Sequence, residues 1–222
     1  MRGRGSYMKD RTLTVKGTGH ASLPPDYIEI SLYLEAKAEQ YDQVIQLSEI
    51  KLEQLRHCLQ QVGISKSDLK TTNFTLDTDY EQVKDEQGNY VRVFRGYVVR
   101  HHLKLGFHLD NEKLAIIIQA ISTCPAHPEF SIQYQLKDQI ELKSLVLEEA
   151  VKNATHLAKV LADEAKVTLG PIQMINYDTM DISYQPREVM YNEINDYSVA
   201  LMDLQPEDIS ATDTVTMVWE LV

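Results

Sequence analysis

The chain has 222 residues, enough to bury a core without disulfides or structural metals, and its 43% hydrophobic and 25% charged content is that of a folding chain rather than a disordered one. A net charge of −11 sets the averaged surface field against polyphosphates and anionic lipid headgroups, which argues against nucleic acid as a partner. No apolar run approaches the roughly 18 to 20 residues of a spanning helix, so no membrane contact is expected, and the two cysteines, Cys58 and Cys124, have no zinc-like or CxxC spacing.

Residues 1–9 carry Arg2, Arg4 and Lys9 and no apolar core of an export signal; Met1 to Tyr7 reads as a tag remnant ahead of a natural start at Met8, and a cytoplasmic location is expected. Leu13 and Val15, then Ile28, Ile30, Leu32 and Leu34, alternate with polar residues and predict two strands. Gly17-Thr18-Gly19 and Pro24-Pro25-Asp26 lie between them, and the glycine pair reads as a turn or bulge rather than a phosphate cradle, because no helix follows it. From Tyr41, the series Val44, Ile45, Ser48, Leu52, Leu55, Leu59 and Val62 keeps a 3.6-residue period up to Gly63, which predicts a helix of about 25 residues with a glycine C-cap.

Asn73 to Val83 and Tyr90 to Leu109 are rich in Thr, Tyr, Val and Phe and flank a polar stretch, Asp85 to Asn89, so they predict a long β-hairpin. Tyr97, Val99, His101, Leu103, Leu105 and Phe107 share the face expected to meet the core. Asp110 is placed to cap a short helix with Leu114, Ile117, Ile118 and Ile121 inward, ending before Cys124-Pro125. Phe130 to Leu136 alternates as a strand. Asp138 and Glu141 resemble a capping box for the longest helix, whose expected buried stripe is Leu142, Leu145, Val146, Ala150, Ala154, Leu157, Leu161 and Ala165. Ile172 to Tyr177 reads as a strand, Asp178 to Glu207 as a long loop, and Val215, Met217, Trp219 and Leu221 as a closing strand that returns to a sheet begun much earlier. The order of elements is α+β, with helices on one sheet face.

Val15-Lys16-Gly17-Thr18-Gly19, Pro25-Asp26, Gly63-Ile64, Asp68-Leu69-Lys70-Thr71-Thr72-Asn73-Phe74, Gly96-Tyr97, Lys137-Asp138, Leu169-Gly170 and Pro206-Glu207-Asp208-Ile209-Ser210-Ala211 follow one another in an order that resembles the SIMPL-domain, or YggE-like, family from about residue 10 onward. The resemblance implies two lobes of mostly antiparallel sheet, no established reaction and no catalytic residues to carry over. It also implies links to stress tolerance or signalling, and relatives that are exported with a signal this chain lacks. On this reading the lobes are residues 10–95 with 205–222 and residues 96–178, and residues 179–204 form an acidic loop. Tyr184, Met190, Tyr191, Tyr197 and Met202 in that loop either pack back onto their own domain or contact a partner.

The remaining constellations speak against chemistry. His101 and His102 point to opposite faces, and His102 and His108 lie roughly 20 Å apart along a strand, so they share no ion. Cys124 and His127 sit in a helix-to-strand turn without a third orienting group, and Glu148 with Glu149, or Asp77 with Asp79, read as solvated acids. No cofactor, metal or catalytic residue is expected. Two functions remain: a non-catalytic module that binds protein partners or assembles with itself, since the long hairpin exceeds the usual strand of five to six residues, or a small-molecule sensor or enzyme with a pocket between the lobes lined by Tyr97, His101, Cys124 and Tyr134.

Overall fold

The computed structural model describes residues 11–84, 88–177, 189–190 and 205–222. Their elements are β1 (Thr12–Leu23), β2 (Tyr27–Ala38), α1 (Tyr41–Gln61), β3 (Lys70–Lys84), β4 (Tyr90–His108), α2 (Asn111–Ser122), β5 (Glu129–Gln135), α3 (Ile140–Ala165), β6 (Leu169–Asn176), β7 (Val189–Met190) and β8 (Ile209–Leu221). The chain forms two compact units. One takes β1, α3, β6 and β8; the other takes β2 through β5 with α1, α2 and β7. Each holds one antiparallel sheet, ordered β1-β8-β6 in the first and β3-β4-β2-β5-β7 in the second.

This division departs from the boundaries expected between residues 95 and 96. Strand β2 pairs with β4 over Tyr27 to Ala38, and β4 crosses residue 96 without interruption, so the hairpin cannot be shared between lobes. The break falls instead between β1 and β2, at Pro24-Pro25, two residues whose fixed φ makes a poor continuation of a ladder. Short β7, within the stretch expected to be loop, pairs with Ser131 and Ile132 of β5.

The larger unit packs α1 and α2 on one sheet face. Ile28, Ile30, Leu32, Leu103, Leu105 and Ile132 from the sheet are closed over by Leu55, Leu59, Leu114, Ile117, Ile118 and Ile121, each at most 2% exposed. At about 1.5–3 kcal/mol for each such side chain, this cluster is the principal source of the unit's stability. Helix α1 ends as its glycine predicts. Gly63 adopts φ +82°, its N–H reaches the Gln60 carbonyl, and the Ile64 N–H reaches that of Leu59, the paired bonds of a Schellman motif. Asp110 caps α2 by accepting the Lys113 N–H at 2.9 Å.

The smaller unit differs from its sequence reading in two ways. The buried row of α3 is Leu142, Val146, Ala150, Ala154, Ala158 and Ala162, a strict four-residue repeat, whereas Leu145, Leu157, Leu161 and Ala165 are exposed. The cause lies opposite. Gly17 and Gly19 are neither turn nor bulge but interior residues of β1, in register with Val215 and Asp213, and a Cβ on Gly19 would stand 2.0 Å from the Val146 carbonyl oxygen. The two glycines let the helix backbone approach the strand so closely that only alanine fits beneath it, and the leucines are turned outward. Val15, Val215, Met217 and Trp219 complete this core. The expected capping box is also altered, because Asp138 accepts the Ile140 N–H from one residue outside the N-cap, Gln139.

Candidate interaction surface

Strand β4 is 19 residues long, but β2 accompanies it only from Tyr97 onward. Beyond that point, among the described residues, Tyr90 to Gly96 pair with β3 alone, over Asp79 to Lys84, so the hairpin leaves the sheet as a two-stranded arm. The departure is built into the backbone. Gly96 has φ +132°, and a Cβ there would stand 2.2 Å from the Ala38 carbonyl oxygen, while a register shift between Asp79 and Tyr80 leaves Arg95 opposite no residue.

The arm carries side chains that a solvated ribbon does not need. Tyr80, Tyr90, Val91, Val93 and Phe94 are all exposed, and Phe74 on the same strand as Tyr80 is 48% exposed. An edge-to-face row runs from Tyr41 at the start of α1 to Tyr97 (5.6 Å), Phe94 (5.5 Å) and Tyr80 (5.7 Å between centroids), and the Arg92 guanidinium lies 4.7 Å from the Tyr80 ring. On the opposite face, Asp77, Asp79 and Glu81 of β3 meet Arg100, Lys37 and Arg95 at 3.3, 3.5 and 2.7 Å. The outcome is a ribbon with an aromatic face, carrying Phe74, Tyr80, Tyr90 and Phe94, and a second face on which the ion pairs lie beside Val91 and Val93. A two-stranded ribbon is marginal alone in water; the aromatic row gives this one its persistence.

His101 sits in the core beneath the base of the arm, 6% exposed, with its Nε2 2.8 Å from Thr71 Oγ1 and its ring edge-on to Phe74. Burial, then the nearby Arg56 and His102 charges, hold its pKa below the ordinary histidine value. His102 is exposed and tilted against Tyr33. Cys124 is fully buried; burial, opposed by a backbone hydrogen bond at Ala126 and joined by a hydrogen bond with the Cys58 thiol, pushes its thiol up to about 11. Nothing in the spacing of residues 58 and 124 announces this meeting. His127 is exposed, and its N–H closes a turn on the Cys124 carbonyl. Among the described residues no three His, Cys, Asp or Glu side chains gather so as to hold an ion.

The four residues expected to line a pocket are not gathered around one. Cys124 lies within the main apolar cluster of the larger unit with Tyr134 against it, and Tyr97 packs with Ala36, Val44 and Val99. A polar cleft of about 370 Å³ lies elsewhere in that unit, lined by Tyr27, Glu29, Ser67, Asp68, Lys70, Lys104 and Gly106, with Lys104 bonded to Glu29 at 2.8 Å. Of the expected contact residues, Met190 falls in β7, opposite Ser131, while Tyr184, Tyr191, Tyr197 and Met202 lie outside the described residues.

No helix among the described residues is long and apolar enough to cross a membrane. A family model described as SIMPL, a protein of unknown function (DUF541), matches residues 13–219, from the second residue of β1 to the third-last of β8. None of the curated proteins matches the chain.

Proposed function

The chain belongs to the SIMPL family, whose function is unknown, and we propose that the protein is a non-catalytic module that assembles with further copies of itself and binds protein partners. The observation that carries this reading is the arm: five exposed apolar or aromatic side chains on a ribbon that leaves its own sheet. Exposed apolar area of this kind, ordered by ring contacts, is the composition of a protein contact rather than of a solvated loop tip. Tyr80, Tyr90 and Phe94, with Arg92 over the Tyr80 ring, are of the residue types enriched at protein contacts. A cytoplasmic setting accompanies the reading, supported by Cys58 and Cys124 both standing as thiols, and a link to stress response or signalling is carried over from the family likeness.

Size-exclusion chromatography with light scattering tests it. The wild type is expected above monomer mass at micromolar concentration, and Y80E/F94E, which places two carboxylates on the apolar face of the arm, is expected at monomer mass. A wild type that stays monomeric throughout that range refutes assembly.

A second reading rests on the polar cleft, whose lysines and acids suit a small zwitterionic molecule. A thermal-shift screen of amino acids and related metabolites that finds no stabiliser removes it.

A further inference from the structure

Each sheet has open edges, and they are not equivalent. On β1 the outward Thr18 carbonyl accepts a hydrogen bond from Asn153 Nδ2 at 2.7 Å, and the His20 N–H is bound by the Glu149 carboxylate. Both partners come from α3, so at Thr18 and His20 the groups that another strand would use to pair with β1 are already taken. Strand β5 is met by β7. Among the described residues, β3, over 15 residues, and β6, over eight, are edge strands along which no further strand pairs.

Two copies of β3 make poor partners for each other. In an antiparallel pair about a twofold axis, facing residues lie on the same sheet face, so Asp77, Asp79 and Glu81 of one copy meet those of the other whenever the axis falls between residues 77 and 81. Moving the axis toward Lys70 brings the irregularity at Thr72 into the new ladder from both sides. Like charges directly opposite one another oppose pairing.

Strand β6, Leu169 to Asn176, carries no charge, so it meets the acids of β3 in any register without repulsion. It also exposes Ile172, Met174 and Ile175, each about half accessible, a match for the exposed Phe74, Tyr80 and Phe94. Against a second β6 the same strand would set two copies of Pro171 into one short ladder, losing two N–H donors where β3 loses one.

We infer that the contact between copies is head-to-tail, the free edge of β6 in one copy pairing with the free edge of β3 in the next. This rests on the self-assembly proposed above and specifies its geometry: the contact is heterologous, so it either propagates or closes into a ring of two or more copies.

Two edge variants and their mixture test it. M174E/I175E puts one carboxylate on each face of the β6 edge, so that one of them lies on the face of the β3 acids, and F74E/Y80E removes the aromatic half of the β3 edge; circular dichroism establishes that each is folded. Should F74E/Y80E not fold, Y80E alone replaces it, since Tyr80 is remote from the buried His101. In light scattering each variant alone is expected at monomer mass. An equal mixture is expected at twice that mass, because one good β6 edge and one good β3 edge remain, and the wild type is expected at dimer mass or above. If M174E/I175E keeps the wild-type mass, or the mixture stays monomeric while the wild type assembles, the head-to-tail contact is wrong although assembly stands. A monomeric wild type overturns both.

Discussion

Replacing Gly19 by alanine puts one methyl group where the structure leaves none. The added Cβ would lie 2.0 Å from the Val146 carbonyl oxygen and 2.6 Å from the Ala150 amide nitrogen, against an ordinary contact of 3.4 Å, so α3 must retreat by 1.4 Å at that point. Both obstructing atoms are helix backbone and cannot rotate away. A gap of even 0.5–1 Å forfeits about a quarter to a half of each dispersion contact, and the alanines at 150, 154 and 158 would lose part of theirs with Val15, Val215, Met217 and Trp219. Overpacking of this kind costs about 1–3 kcal/mol; because the clash is with backbone, the upper end is expected, a fall in Tm of roughly 6–12 °C. Trp219, the single tryptophan of the chain, is buried in this contact and reports on it directly by fluorescence during urea or thermal unfolding. Gly63→Ala is the control: it meets nothing within 4 Å and suffers only the left-handed strain of φ +82°, about 1 kcal/mol. A Gly19→Ala protein as stable as Gly63→Ala would show that the close approach of α3 to β1 is not what holds the smaller unit together.

On α3, Leu161→Gln is expected to stay within about 0.5 kcal/mol of wild type by urea denaturation, since Leu161 is 49% exposed, whereas Ala154→Leu, two turns earlier on the buried row, should be destabilising by several times that amount. Asp110→Ala removes the cap on the Lys113 N–H and is expected to cost about 1 kcal/mol, with Asp110→Asn recovering most of it. Because burial lowers the folded pKa of His101 beneath its ordinary 6.5, the unfolded chain takes up the proton first; this residue's contribution is therefore present above pH 6.5 and is lost as pH falls below it. Unfolding free energies measured between pH 7.5 and about pH 5 should fall less steeply in His101→Gln than in wild type, and identical slopes would contradict the assignment.

Much of the fold is written in local periodicity. The alternation of Ile28 to Leu34 and the core face of β4 at Val99, His101, Leu103, Leu105 and Phe107 follow directly from two-residue spacing, and the Asp110 and Gly63 caps follow from side-chain chemistry. What periodicity does not carry is the distance between layers. On α3, leucine and alanine recur on adjoining stripes, and hydrophobicity alone favours burying the leucines; the choice is reversed by two glycines more than 120 residues earlier in the chain. In the same way β1 and β2, neighbours in sequence, belong to different sheets because each finds its partner far away, Glu220 for Thr12 and Tyr97 for Ala38. The arm was legible only as excess strand length; its aromatic row depends on the shift at Arg95, which changes which face Phe94 shares with Tyr97. The Cys58 and Cys124 contact joins two elements with no common pattern.

The ladder between β1 and β8 has a consequence for synthesis. Strand β1 leaves the ribosome long before its hydrogen-bonding partner is made, and Thr12 waits for Glu220. In the meantime the residues from Tyr27 to Leu136 can complete their own core, whose strands and helices all lie between those positions. A nascent chain stalled short of β8 should therefore resist protease across that inner stretch while being cut at both flanks, and a circular permutant that splices residue 222 back to residue 11 would let the smaller unit form without the wait.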